Sequence, residues 1–142
     1  MELVTRNGKS FIVREYIESD FSDVHRLNVS ENWTNLVAKQ EDTLEAWKHS
    51  NVRFVVFDQE KFVGYIRGVT DTSITLFICE LLINEDYRGF GIGQELLKYV
   101  HNLYPKTRME LLGSSTSRTF YEQLGFRSFY GFRRTFEEIE IQ

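Results

Sequence analysis

The chain is 142 residues long, enough for one domain with a real core, and its 42% hydrophobic and 27% charged residues are those of an ordinary globular protein. A net charge of −4 argues against a nucleic-acid binder, which would carry a basic field; mild acidity reads as ordinary solubility and is merely compatible with a cationic substrate. The single cysteine, Cys79, excludes an intramolecular disulfide, and three scattered histidines (His25, His49, His101) argue against a structural zinc site, so no metal is expected.

The opening MELVTRNGKS is polar, without the apolar core of a signal peptide. No apolar run approaches the roughly 20 residues that span a membrane. The expectation is a cytoplasmic protein without membrane or nucleic-acid partners. No repeat or linker divides the chain, so residues 1–142 read as a single domain.

Phe11–Tyr16 alternates like a first strand. Asp20 is placed to cap a helix that carries Phe21, Val24 and Leu27 on one face. Trp33–Val37 and Thr43–Trp47 suggest short helices, with Thr43 as an N-cap. Arg53–Phe57 and Phe62–Val69 flank the polar turn Asp58–Lys61 and read as a hairpin. Ile74–Ile83, apolar on both faces, reads as a central strand covered on both sides. A helix starts near Gly91, with Ile92, Leu96, Val100 and Leu103 at helical spacing and Pro105 beyond its end. Arg108–Leu112 reads as a strand, Ser115–Leu124 as a helix stopped by Gly125, and Phe126–Ile141 as one or two final strands. The sum is an α/β (α+β) fold, a mixed sheet with helices on its faces.

The junction from Ile83 to Gly93 is the sharpest feature. A central strand enters a glycine-rich loop that opens a helix. Glycines let backbone N–H groups approach an anion with no Cβ in the way. The free N–H groups of a helix's first turn and its dipole then favour a phosphate, and Arg88 adds charge-assisted contacts. No Gly-Lys-Ser/Thr ending follows, so this is not a P-loop. A dinucleotide fingerprint belongs on the first strand of a parallel βαβ unit, whereas this loop follows about the fourth.

Arg88-Gly89-Phe90-Gly91-Ile92-Gly93 resembles the pyrophosphate loop Arg/Gln-x-x-Gly-x-Gly/Ala of the GNAT acetyltransferase superfamily. Ser114–Phe126 resembles its second signature, Asn-x-x-Ala-x-x-Phe-Tyr-x-x-x-Gly-Phe. The motifs stand in family order with one strand between them, and the similarity runs over about residues 53–130. It implies a mixed sheet of about six or seven strands flanked by about four helices, with acetyl-CoA as co-substrate in a V-shaped split between two parallel strands. By motif position Leu81, Leu82 and Ile83 would pair their backbone with the pantetheine arm. Arg88, Gly89, Phe90, Gly91, Ile92, Gly93 and Gln94 would cradle the pyrophosphate. Ser114 stands for the usual Asn and Ser117 for the usual Ala, and serine still hydrogen-bonds. Asp86–Gly93 is also very similar to the loop of polyamine acetyltransferases, but a phosphate loop does not define the acceptor.

The resemblance gives Tyr121 the place of the tyrosine that reaches the CoA sulfur. A phenol with a reference pKa of about 10 is protonated at pH 7 and can donate; the alternative is a core aromatic. Glu80 is a carboxylate inside an apolar strand, a candidate base or amine anchor, or else a structural partner of Arg67 or Arg53. Asp71 and His49 are weaker candidates, and Cys79 reads as a small core residue rather than a nucleophile. Trp33, Trp47, Tyr65 and Tyr130 are aromatic enough to line an acceptor pocket, although aromatics are ordinarily core. The expected activity is acetyl transfer to a small-molecule primary amine by direct attack in a ternary complex. A protein or peptide acceptor, a CoA-sensing module without turnover, and a homodimer all stay open.

Overall fold

The computed structural model of the chain describes residues 1–5 and 7–138. Met1–Leu111 forms one compact unit and Leu112–Gln142 a second. The first holds a six-stranded sheet in chain order: β1 (Glu2–Val4), β2 (Ser10–Glu15), β3 (Val52–Asp58), β4 (Lys61–Thr70), β5 (Thr75–Ile83) and β6 (Arg108–Leu111). All neighbours are antiparallel except β5 and β6, which are parallel. The sequence pattern missed β1, which is too short to show a period and is defined by its pairing with β2.

Three helices separate β2 from β3: α1 (Phe21–Ser30), α2 (Thr34–Ala38) and α3 (Gln40–His49). α1 buries Phe21, Val24 and Leu27, the stripe expected from their spacing. Two expected caps differ. Asp20 stands at the N-cap position of α1, but its side chain makes no capping bond; the carboxylate accepts from the Ile17 backbone N–H at 2.8 Å and binds Arg14 through both oxygens at 2.8 Å. A nearly buried carboxylate needs that cation, and the guanidinium fork provides it. Thr43 lies inside α3, where its hydroxyl donates to the carbonyls of Leu36 and Lys39, each at 2.8 Å, and so ties α3 to α2.

One face of the sheet carries Val55, Tyr65 and Leu82 against Tyr16, α1 and Trp47 of α3. α4 (Ile92–Leu103) buries Ile92, Leu96, Leu97 and Val100, and its Tyr99 meets Phe54, on the opposite side of β3 from Val55, edge-on at 5.3 Å. A bulge interrupts β5. Arg67 of β4 faces Glu80 while the next residue, Gly68, faces Ile78, so Cys79 is the extra residue. The bulge shifts the alternation by one, which puts Glu80 and Leu82 on the face of Arg67 and Tyr65 instead of the face of Ile78.

The second unit contains α5 (Arg118–Gln123), shorter than the expected Ser115–Leu124, followed by Gly125 in the left-handed region at φ 91°. The expected final strands are absent from residues 126–138. Phe129, Tyr130, Phe132 and Phe136 are 78–97% exposed, and with neither a buried face nor ladder hydrogen bonds the segment has nothing to hold it extended. Residues 139–142, the end of that expected strand, lie outside the described residues.

Gly68 tests the β4–β5 register. A Cβ built there comes within 2.6 Å of the Phe77 carbonyl oxygen, a backbone atom with little freedom to yield. Gly68→Ala is expected to lower stability by about 1–3 kcal/mol in denaturant unfolding, the usual cost of overpacking; an unchanged midpoint would place the close approach elsewhere.

Candidate active site

β5 is paired with β4 from Leu76 to Ile83, but with β6 only from Thr75 to Ile78. Beyond Ile78 the two parallel strands part, and no strand among the described residues pairs with the free side of Cys79–Ile83. Backbone N–H and C=O groups on an open edge need partners. Leu81, Leu82 and Ile83, singled out by the sequence, lie on that edge.

β5 leads directly into the glycine-rich loop. Asn84 accepts the Asp86 N–H at 2.9 Å and starts a short 3-10 turn over Glu85–Tyr87. Gly89 and Gly91 then take φ 88° and 86°, the left-handed region that side chains avoid. A Cβ on either would meet nothing within 4 Å, so the backbone angle, not crowding, requires glycine, and the space before the loop is open. Gly91 is the N-cap of α4, which leaves the first-turn N–H groups of Ile92, Gly93 and Gln94 without helical carbonyls. Aromatic contacts steady the loop: Phe90 lies 6.4 Å from both Phe11 and Tyr87. The Tyr87 hydroxyl donates to Asp58 at the end of β3 at 2.8 Å.

Arg88 is held on two sides. Its Nε donates to the Ile83 carbonyl at 3.2 Å, and its Nη2 pairs with the carboxylate of Glu31, the residue that follows α1. Sequence reasoning missed Glu31; the partners are 57 positions apart and no local pattern links them.

Glu80 is bound through both oxygens by Arg67, with Nε at 2.7 Å and Nη2 at 2.5 Å, and Arg67 also donates to Ser50 at 3.0 Å. Of the two arginines considered as its partner, Arg67 takes the carboxylate. Arg53 instead donates to the Trp47 carbonyl at 3.0 Å and stacks over Tyr16. Next along the same face, the Tyr65 hydroxyl donates to buried Asn28 at 2.6 Å. Trp47 and Tyr65 are fully buried in the core, and Trp33 packs against it. Burial pushes the Cys79 thiol up, which disfavours the thiolate a nucleophile would need.

Other candidates serve local structure. Asp71 accepts the N–H groups of Ser73, Ile74 and Thr75 at 2.8–3.0 Å. These backbone bonds lower its pKa to about 2. His49 is exposed, 3.4 Å from Glu45 on the same helix.

In the second unit the Ser114 N–H donates to the Ser117 hydroxyl at 2.8 Å, just before α5. Tyr121 packs edge-on to Phe120 at 5.0 Å and Phe126 at 5.6 Å. Burial raises its phenol above the usual 10, so it stays protonated throughout the neutral range. Ser114, Ser117 and Tyr121 therefore gather at one turn and one short helix. Tyr130 is exposed in the same unit.

The Acetyltransferase (GNAT) domain family matches residues 14–142, across both units. The chain belongs to the GNAT acetyltransferase family. Its reaction class is therefore acetyl-CoA-dependent acyl transfer. Solved structures share the fold. A GNAT-family acetyltransferase from Streptococcus pneumoniae is 24% identical, with 88% of this chain and 98% of that one covered and a TM-score of 0.70. A Trypanosoma brucei acetyltransferase is 22% identical over 88% and 98% at 0.69. Arabidopsis thaliana Naa50, in complex with the bisubstrate analogue CoA-Ac-MVNAL, is 17% identical over 82% and 83% at 0.65. No curated protein matches the chain. Among the described residues no group of potential metal ligands is present, and no helix is long and apolar enough to cross a membrane.

The Arg67–Glu80 pair is 14% and 12% exposed, so removing one partner strands a largely desolvated charge. Arg67→Ala is expected to cost about 2–3 kcal/mol in denaturant unfolding, somewhat below the roughly 3–5 kcal/mol of a fully buried pair. A loss under about 0.5 kcal/mol would mean that water replaces the guanidinium there.

Proposed function

We propose that this chain transfers acetyl from acetyl-CoA to the primary amine of a small molecule, by direct attack in a ternary complex. The observation that carries the reading is the open edge Cys79–Ile83 running straight into a left-handed glycine loop and a bare helix N-terminus. In this reading the edge of Leu81–Ile83 pairs with the amide-bearing pantetheine arm. The backbone of Arg88–Gln94 holds the pyrophosphate, with Ser114 and Ser117 as further polar contacts to the cofactor.

The amine nitrogen attacks the thioester carbon; the new C–N bond forms as the C–S bond breaks. The ammonium must first lose a proton, at a cost of about 4–5 kcal/mol for a lysine-like amine at pH 7. Glu80 accepts that proton or anchors the ammonium. Arg67 occupies two of the carboxylate's roughly four lone-pair sites and leaves the rest available. The departing thiolate takes a proton from Tyr121, whose raised pKa keeps it loaded, and the phenolate is re-protonated as the new amide nitrogen sheds its second proton. Holding amine and thioester together supplies much of the remaining acceleration.

Free-thiol release from acetyl-CoA is expected with small primary amines and not with peptides. Gly91→Val is expected to abolish both turnover and CoA binding by calorimetry in a chain that still folds, with a somewhat lower melting temperature, because a β-branched residue does not hold φ 86°. Undiminished CoA affinity in that variant would remove the loop assignment, and turnover confined to peptides would move the acceptor class.

Tyr121→Phe removes one oxygen and keeps the ring packing. CoA affinity is expected to hold while kcat falls about 10²–10⁴-fold. The alkaline fall in rate, which lies above pH 10 because burial raises this phenol, is expected to disappear. Full kcat with chemistry rate-limiting would assign the proton to water or to the substrate.

A further inference from the structure

Glu31 closes α1, and its side chain is only 11% exposed, whereas the Arg88 it binds is 53% exposed. Among the described residues Arg88 is the only side-chain partner of that carboxylate. The segment behind Glu31 is lightly held. Asn32 takes φ 60°, and α2 buries none of its residues. Its other ties are Trp33, packed against the core, backbone bonds to α1 and the Thr43 hydroxyl on the Leu36 carbonyl. Arg88 therefore fastens the α1–α2 connection to the loop that follows β5.

A pyrophosphate at that loop is a second anion in search of the same guanidinium. It carries more charge than one carboxylate, and a shared cation cannot fully neutralise both. We propose that Glu31–Arg88 is a clasp: Glu31 holds Arg88 in the CoA-free enzyme, CoA draws Arg88 away, and the α1–α2 connection is thereby released on the side of the sheet that carries Glu80. The proposal rests on the reading of residues 88–94 as the pyrophosphate loop. Its consequence is that CoA binding itself loosens the α1–α2 connection.

The sign of one measurement separates a competitor from a brace. Glu31→Gln keeps a hydrogen-bond acceptor and removes the charge. CoA binding by calorimetry is expected to tighten about three- to tenfold, the scale of one short charge–charge interaction near water. A residue that merely supports the fold gives unchanged or weaker binding when altered, and either result overturns the clasp. Arg88→Ala is expected to weaken CoA binding, and adding Glu31→Gln to it should then change nothing. If Arg88→Ala leaves CoA affinity intact, Arg88 does not reach the pyrophosphate and the clasp fails with it; Gly91→Val then shows separately whether the loop binds CoA through its backbone. In wild-type protein, amide exchange over residues 31–38 is expected to quicken when CoA is added, the reverse of ordinary ligand protection. In Glu31→Gln it should already be fast without CoA. Slower or unchanged exchange in the wild type overturns the release step.

Discussion

The half-paired state of β5 organises the rest of the structure. On one side the strand is bonded to β4 as far as Ile83, and on the other it leaves β6 at Ile78. A strand that simply ended would place its last residues in a loop. This one continues, held by β4, and presents one edge that no strand among the described residues pairs. Such an edge suits a ligand that carries amides of its own. The bulge at Cys79 lies at the parting, where the extra residue increases the local twist. The parting, the edge and the glycine-rich loop are thus consecutive features of one short stretch, Ile78–Gly93.

The same bulge decides which side chains share the face of Tyr65 and α1. Without it Glu80 would share a face with Ile78, on the side away from Tyr65 and α1. With it, Glu80 joins Arg67, Tyr65 and Leu82 beneath the helices before β3. That face is unusually polar for a core. Asn28 and Tyr65 bond to one another at full burial, while Tyr16 Oη, Asn28 Nδ2 and Trp47 Nε1 find no partner among the described residues. Burial pushes the Tyr16 phenol up to about 12 and raises that of Tyr65, so both remain neutral. The Asn28–Tyr65 bond favours one arrangement of these side chains, since losing it leaves two desolvated groups, whereas the unpartnered donors are a cost the fold bears.

What the sequence made legible was the part built from backbone. Gly89 and Gly91 stand out because glycine is the residue a left-handed turn demands, and Ile92, Leu96 and Val100 stand out because a helix imposes its period. Both are local rules, readable over a few residues. The polar contacts depend on side chains that meet across the chain: Asn28 with Tyr65, Arg67 with Glu80, Arg88 with Glu31. No period announces such pairs, which is why Glu80 had two possible arginines and Glu31 drew no attention. The bulge was hidden for a related reason. In a strand apolar on both faces, a one-residue shift leaves the hydrophobic pattern of Thr75–Ile83 unchanged. The expected strand in residues 126–138 failed in the opposite way, since β propensity without a partner edge does not make a strand.

The division between backbone and side chain also separates what is rigid from what is free to adapt. The loop is braced by Phe11, Phe90, Tyr87 and Asp58, and α4 behind it is anchored by four buried apolar residues. α2 has no such anchor. A co-substrate that is the same in every turnover is best met by a preformed cradle, which spends little of its binding free energy on ordering the protein. An acceptor that must enter and leave needs a segment whose opening costs little, and such segments come from the weakly held parts of a fold. Here the weakly held segment adjoins the braced one through a single arginine. That ion pair joins a half-exposed arginine to a nearly buried carboxylate, so a change of charge there acts on the junction of the two segments and leaves the apolar core untouched.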